Sequence, residues 1–260
     1  MRDEKNYSYL YSYFTITTMA RILKNGNLSG AVGNLVFVNT ETQNYVRTKP
    51  SHLKQSQKTK AAAAAFGVAS AKDKLYRHAL LEQFALLTDR MYAARHRARM
   101  AKALRQPAEE NSENGNLHLG LPESLTGFDF NSQFPWEKIT HFYPIFKQLN
   151  THQLQCMLPP LQLGKEIRLP QGIKSAELRL DAFTVNPMLD TVQVNVLSTY
   201  SIEVSRVETS LPALWTVDIP ESPAWLIVLG TIIFQSNTPQ MTGSSQGNST
   251  YLFAKSTGAN

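Results

Sequence analysis

Two runs of cations are the residues most able to do chemistry: Arg47, Lys49, Lys54, Lys58 and Lys60 in the first, Arg90, Arg95, Arg97, Arg99, Lys102 and Arg105 in the second. Guanidinium and ammonium groups at this density bind oxyanions, because each one that displaces a counterion from a negative surface adds affinity without requiring a sequence. Tyr45 and Tyr92 add ring faces on which an unstacked base would lie. The plainer reading is solvation: cations near a helix C-terminus are favoured by its dipole, and lysines and arginines commonly cover an exposed face. On a helix, the charges from 90 to 105 spread over more than one side, so they form no narrow groove-reading strip. The expected target is an acidic protein surface, including that of a second copy, with nucleic acid as the alternative.

Other reaction chemistries find little support. The histidines at 52, 78, 96, 118, 141 and 152 include no H-E-x-x-H and no pair at helical ligand spacing, so no metal site is expected. Cys156, the single cysteine, excludes a disulfide framework within the chain and a cysteine-built zinc site. Gly26, Gly30 and Gly33 imitate a dinucleotide loop, but a strand pattern follows them where a phosphate needs a helix N-terminus. There is no G-x-S-x-G elbow and no phosphate-loop lysine motif, and the S-x-x-K at Ser51 to Lys54 lies in a polar connector without its companions. An enzyme would require a pocket in the aromatic stretch 128–146 with carboxylates facing inward. We expect no catalytic residue and no cofactor.

The elements that must position the cations divide the chain by charge. Through Arg105 there are 18 lysines and arginines against 6 acidic residues, a surplus of 12; beyond it there are 8 against 14, a deficit of 6. A basic arm joined to an acidic body points to a binding surface. With 260 residues, 42% of them hydrophobic, the chain can bury a core.

Asp3 and Glu4 sit where a secretory leader wants positive charge, and Met19 reads as a second beginning, so residues 1–18 are expected to be an extension without function. No apolar stretch is long enough to span a bilayer as a helix. A cytoplasmic or particle-enclosed setting is therefore favoured.

Leu35 to Val38 and Tyr45 to Arg47 read as the strands of a hairpin that Pro50 stops. In it Gly30 and Gly33 allow close backbone approach, Val36 and Tyr45 offer cross-strand surface, and Arg47 and Lys49 share one side. Alanines 61 to 65 open a helical region running to Leu104, with Gly67 as its expected break. Within it Leu80, Phe84, Leu87 and Met91, continued by Ala94, Ala98 and Ala101, alternate in steps of four and three and form one apolar stripe. It suits packing on the protein's own body or, less simply, a helix of a second copy. Residues 107–116 are polar and acidic and read as a linker. After an aromatic stretch without a clean period come strand patterns at Glu177 to Phe183, Thr191 to Val196, Ala213 to Ile219, Trp225 to Phe234 and Thr250 to Ala254.

The pattern G-x-x-G-x-x-V-F at Gly30 to Phe37, followed by Y-V-R-x-K-P at Tyr45 to Pro50 and then Gln57 and Phe66, resembles the opening of an uncharacterised bacterial protein family with a β-rich C-terminal half. The likeness covers about residues 20 to 70 and implies architecture without catalytic residues.

The expected fold is thus α+β: an N-terminal β-hairpin with basic helices over 19–106, the linker, and an antiparallel β-sandwich, immunoglobulin-like or similar, over 117–260. The expected function is that of a noncatalytic structural or interaction protein that docks through its basic N-terminal region and self-assembles. Its partners are other protein subunits, itself included; the alternative is a nucleic-acid-binding protein.

Overall fold

Glycine turns and short alternating runs fold the first stretch into a meander. The computed structural model describes residues 20–39, 43–49, 55–104, 120–168, 170–236 and 247–257. It shows β1 (Arg21–Ile22), β2 (Leu28–Val32), β3 (Leu35–Asn39) and β4 (Asn44–Thr48) in one antiparallel sheet of that order. The expected hairpin is its outer half; β1 and β2 were hidden in what reads as turn-rich sequence. Gly33, with φ 55°, takes the first central position of the two-residue turn joining Val32 to Leu35, and among the described residues only glycines have positive φ, so Asn34 does not, which makes the turn type II′. The register opposes Val36 to Arg47 and Val38 to Tyr45, so these four share one face, while Phe37 opposes Val46 on the other. None of the described residues of this sheet is buried.

The chain divides into two compact units, Met1–Lys60 and Ala61–Asn260. The helix α1 (Gln57–Gln83) crosses that division. Ser56 starts it, its hydroxyl accepting from the Thr59 amide at 3.2 Å and its carbonyl from Lys60 at 3.0 Å. Gly67 does not break it. A helical glycine costs about 1 kcal/mol, which five preceding alanines and the packing that follows outweigh. From Ala69 onward α1 buries Ala69, Asp73, Tyr76, Ala79 and Leu80, while residues 57–68 are exposed all round.

The real interruption lies between Gln83 and α2 (Tyr92–Ala103), so the expected stripe does not run on one helix. Leu80 and Phe84 are buried, Leu87 is half-buried and Met91 is 62% exposed. On α2 the buried face is His96, Met100 and Ala103, while Ala94 and Ala98 are exposed. Asp89 causes the shift: its carboxylate accepts the Met91 amide at 2.7 Å, its carbonyl accepts the Tyr92 amide at 3.4 Å, and the chain restarts in a new phase.

A short 3-10 turn at Pro122–Leu125 and the one-turn helix α3 (Trp136–Ile139) precede the remaining strands: β5 (Ile145–Asn150), β6 (Gln153–Leu158), β7 (Ile173–Val185), β8 (Val194–Ser205), β9 (Ala213–Asp218), β10 (Ala224–Ser236) and β11 (Gly247–Thr257). They form two antiparallel sheets, β11-β10-β7-β8 and β5-β6-β9. Leu178 and Leu180 of β7, Val228 and Ile232 of β10 and Leu252 of β11 share one core cluster with Leu154 and Cys156 of β6 and Trp215 and Val217 of β9. On the other face of the larger sheet, Phe183, Trp225, Ile227, Leu229 and Tyr251 cluster with Tyr76, Leu80 and Phe84, and with Met100 and Ala103 of α2. β10 is buried on both faces, which is why its sequence from Ala224 to Phe234 is almost unbroken apolar rather than alternating. Both helices thus share a core with the β-rich unit. Among the described residues no helix is long and apolar enough to cross a membrane.

Candidate functional site

The second cation run folds onto α2, and the structure separates its members by what they touch. Arg95 spends its guanidinium inside the unit: Nη2 pairs with the Asp89 carboxylate, and Nη1 donates to the Asp129 carbonyl at 2.8 Å. Arg97 Nε stands 4.0 Å from the buried Asp73 carboxylate. Arg99 is half-buried and donates to the Ser124 carbonyl at 3.2 Å. Arg90 and Lys102 are exposed. Of the first run, Arg47, Lys49, Lys58 and Lys60 belong to the N-terminal unit and are exposed. Lys54 and Arg105 lie outside the described residues, as does the expected linker.

Three of these cations meet in one place. Arg95, Arg99 and Lys102 stand at i, i+4 and i+7 on α2 and so share a face. Together with Phe128, Asp129 and Ser132 they line a cleft of about 410 Å³. Its far wall is the segment between the 3-10 turn and α3. Asp129 shapes that segment: its Oδ1 accepts from the Trp136 amide at 2.9 Å, the Thr250 hydroxyl at 2.7 Å and the Asn248 amide group at 2.5 Å. Asp89 ties it to the start of α2, accepting from the Ser132 amide at 2.8 Å and its hydroxyl at 2.6 Å. Partial burial pushes the Asp89 carboxyl up, but these bonds, the Met91 amide and the Arg95 charge hold it down at about 2. The Arg95 guanidinium lies over the Phe128 ring at 5.3 Å.

Behind the cleft, α1, α2 and β11 meet at a buried polar network. Asp73 Oδ1 stands 2.5 Å from His96 Nδ1, Asp73 Oδ2 accepts from Arg77 at 2.8 Å, and His96 Nε2 is 3.0 Å from the Tyr251 hydroxyl. Asp73, His96 and Tyr251 are fully buried. Burial lowers the pKa of His96 against the opposing pull of Asp73. Burial favours the neutral ring, in which Nδ1–H donates to Asp73 and Nε2 accepts from the Tyr251 hydroxyl, whose own pKa burial pushes up. Tyr76 stacks on His96 at 5.6 Å, and Phe128 meets it edge-on at 5.2 Å. The network ties α1, α2 and β11 together through side chains.

Asp73, His96, Asp129 and Tyr251 were not among the expected site residues. Asp73 had a readable signal: it is a charge in the buried spacing Ala69, Asp73, Tyr76, Leu80, where only a paired carboxylate is tolerated. His96 and Tyr251 are 155 residues apart in sequence, and only the fold brings them together. Among the described residues no three His, Cys, Asp or Glu converge as metal ligands. No protein-family model, curated protein or solved structure matches the chain.

Proposed function

We propose that this chain is a noncatalytic docking protein in which the N-terminal sheet is the attachment element and the β-rich unit is the scaffold. One observation carries this reading: β1 to β4 form a complete antiparallel sheet in which no described residue is buried. Val32, Leu35, Tyr45 and Val46 are between 43% and 53% exposed. Small sheets require an apolar face packed on something to be stable, so this one is suited to completing its core against a partner. Burying one aromatic and two or three aliphatic side chains would contribute on the order of 5 kcal/mol before ordering costs. Arg47 shares its face with Tyr45, and Lys49, Lys58 and Lys60 belong to the same unit, so the preferred partner surface is acidic. The acidic half of a second copy meets that description, and self-assembly is the first form of docking to test. For the scaffold, the core cluster shared by its two antiparallel sheets supports a sandwich.

The test is sedimentation of the intact protein across a salt series. A mass above the monomer at low salt that falls as salt rises, and that is lost in Tyr45→Asp/Val46→Asp, is the expected result. A monomer under every condition, with no acidic partner retained, would refute self-assembly.

Nucleic acid is the second reading, favoured by the exposure of Arg90 and Lys102 on α2. Oligonucleotide affinity would then fall steeply with salt, and each neutralised contact would lower the logarithmic salt slope by about 1.

A further inference from the structure

The cleft beside α2 has features that attachment by the N-terminal sheet does not use. From its walls we infer that it is a binding site for a small organic phosphate that also carries a hydrogen-bond donor. Arg99 and Lys102, one turn apart, present a planar fork and a mobile point charge on the same side of the cleft, a pairing that suits the several oxygens of a phosphate. Arg95 is paired with the Asp89 carboxylate and donates to the Asp129 carbonyl, so it fixes this wall and leaves Arg99 and Lys102 as the cations that meet an anion. The rigidity of the wall lowers the ordering cost of binding.

The opposite wall is of a different character. Asp129 is anchored through Oδ1 by three donors, and Oδ2 is not part of that set. A carboxylate fixed in this way accepts a hydroxyl or amine proton and repels a second phosphate. Phe128 and Pro135 add apolar lining. A bare inorganic anion would use only the cationic wall, whereas a phosphate ester with a free hydroxyl reaches both. At about 410 Å³ the cleft falls in the size range of small-molecule sites. The ligand class is therefore a compact phosphorylated polyol or amino alcohol.

Calorimetric titration of the full chain at constant ionic strength tests this, with glycerol 3-phosphate as the probe and inorganic phosphate and glycerol as comparators. Saturable binding of glycerol 3-phosphate, tighter than that of phosphate and absent for glycerol, is expected. Arg99→Gln/Lys102→Gln should weaken it by about tenfold or more, Lys102→Arg should retain most of it, and Arg90→Gln, outside the cleft, should leave it unchanged. Asp129→Asn disturbs a structural anchor, so the donor end is read instead from the ratio of the two phosphates. Equal affinity for phosphate and glycerol 3-phosphate would overturn the donor role. No saturable binding, or equal binding by the double variant with an unchanged thermal midpoint, would overturn the site. Oligomer size measured on the same samples separates these outcomes from loss of docking, since the cleft lies wholly in the second unit.

Discussion

The protein contains two four-stranded antiparallel sheets with opposite relations to solvent. β1 to β4 bury none of their described residues, whereas β11-β10-β7-β8 carries core clusters on both faces. Both are antiparallel throughout, so the kind of pairing does not distinguish them. What differs is the length of the strands and what lies opposite them. β7 and β10 run for 13 residues each, enough to meet helices on one side and β6 and β9 on the other. The strands of the first sheet run two to five residues. A sheet can therefore be specified locally by turns and alternation while its stability is left to another surface.

The largest test of this contrast is Asp73→Ala. It would leave His96 Nδ1–H and Arg77 without their buried acceptor, and unfolding in urea should show a loss of about 3–5 kcal/mol. Replacing any single apolar residue of the first sheet should cost a small fraction of that. Comparable losses from the two regions would mean that the first sheet is as tightly packed as the second.

Glycine substitutions refine the comparison. In β10 a Cβ at Gly230 would stand 3.1 Å from the Trp136 ring and overlap the Leu252 side chain, so Gly230→Ala should cost about 1–3 kcal/mol through overpacking. At Gly33 a Cβ meets nothing within 4 Å, yet φ is +55°, so Gly33→Ala should cost about 1 kcal/mol through backbone strain alone. Thermal melts that ranked the two in reverse would mean that β10 yields to the added Cβ more easily than the Gly33 turn yields to strain.

Much of this contrast was legible in the sequence. The β3 to β4 hairpin, β7, β9 and β11 followed from short strand patterns between turns, and β10 announced its burial by an almost unbroken apolar run. The helix break was misplaced at Gly67 because glycine propensity is a weak local signal, while Thr88-Asp89, a helix-start signature before Tyr92, was passed over within a stripe that looked continuous. β5 and β6 stayed hidden because β5 is largely exposed and carries no regular apolar period. The cation run at 90–105 was visible as charge. Which of its members would face inward depended on the phase of α2, and hence on Asp89.

Acid should act on the helix-packed side first. Asp89 binds its proton at about 2 when folded, below the ordinary value of 3.8, so its contribution is complete above about pH 4 and is lost as the pH falls toward 2. His96, held neutral by burial, contributes in the same direction at higher pH. Its folded pKa lies below the ordinary 6.5, so stability declines as the pH falls below that value. Urea midpoints measured from pH 7 to pH 2 should fall in two stages, and Asp89→Asn should flatten only the lower one. The expected change at that stage is on the order of 1 kcal/mol after solvent screening.

The smallest effect on the isolated chain is also the most telling about its exposed sheet. Tyr45→Ala and Val46→Ala remove side chains that are 48% and 52% exposed and lie on opposite faces of β4, so each should shift monomer stability by no more than about 0.5 kcal/mol. Their effect on association separates the faces. If the partner packs on the side of Val36, Val38 and Arg47, Tyr45→Ala weakens self-association and Val46→Ala does not; the reverse result moves the contact to the side of Phe37. Because β4 is an edge strand, pairing along its backbone would leave association unchanged in both variants, whereas equal weakening by both would place both faces of β4 in the contact. Sedimentation of the two variants at one low salt concentration discriminates these outcomes, and association unchanged in both would remove the Tyr45 and Val46 side chains from the interface.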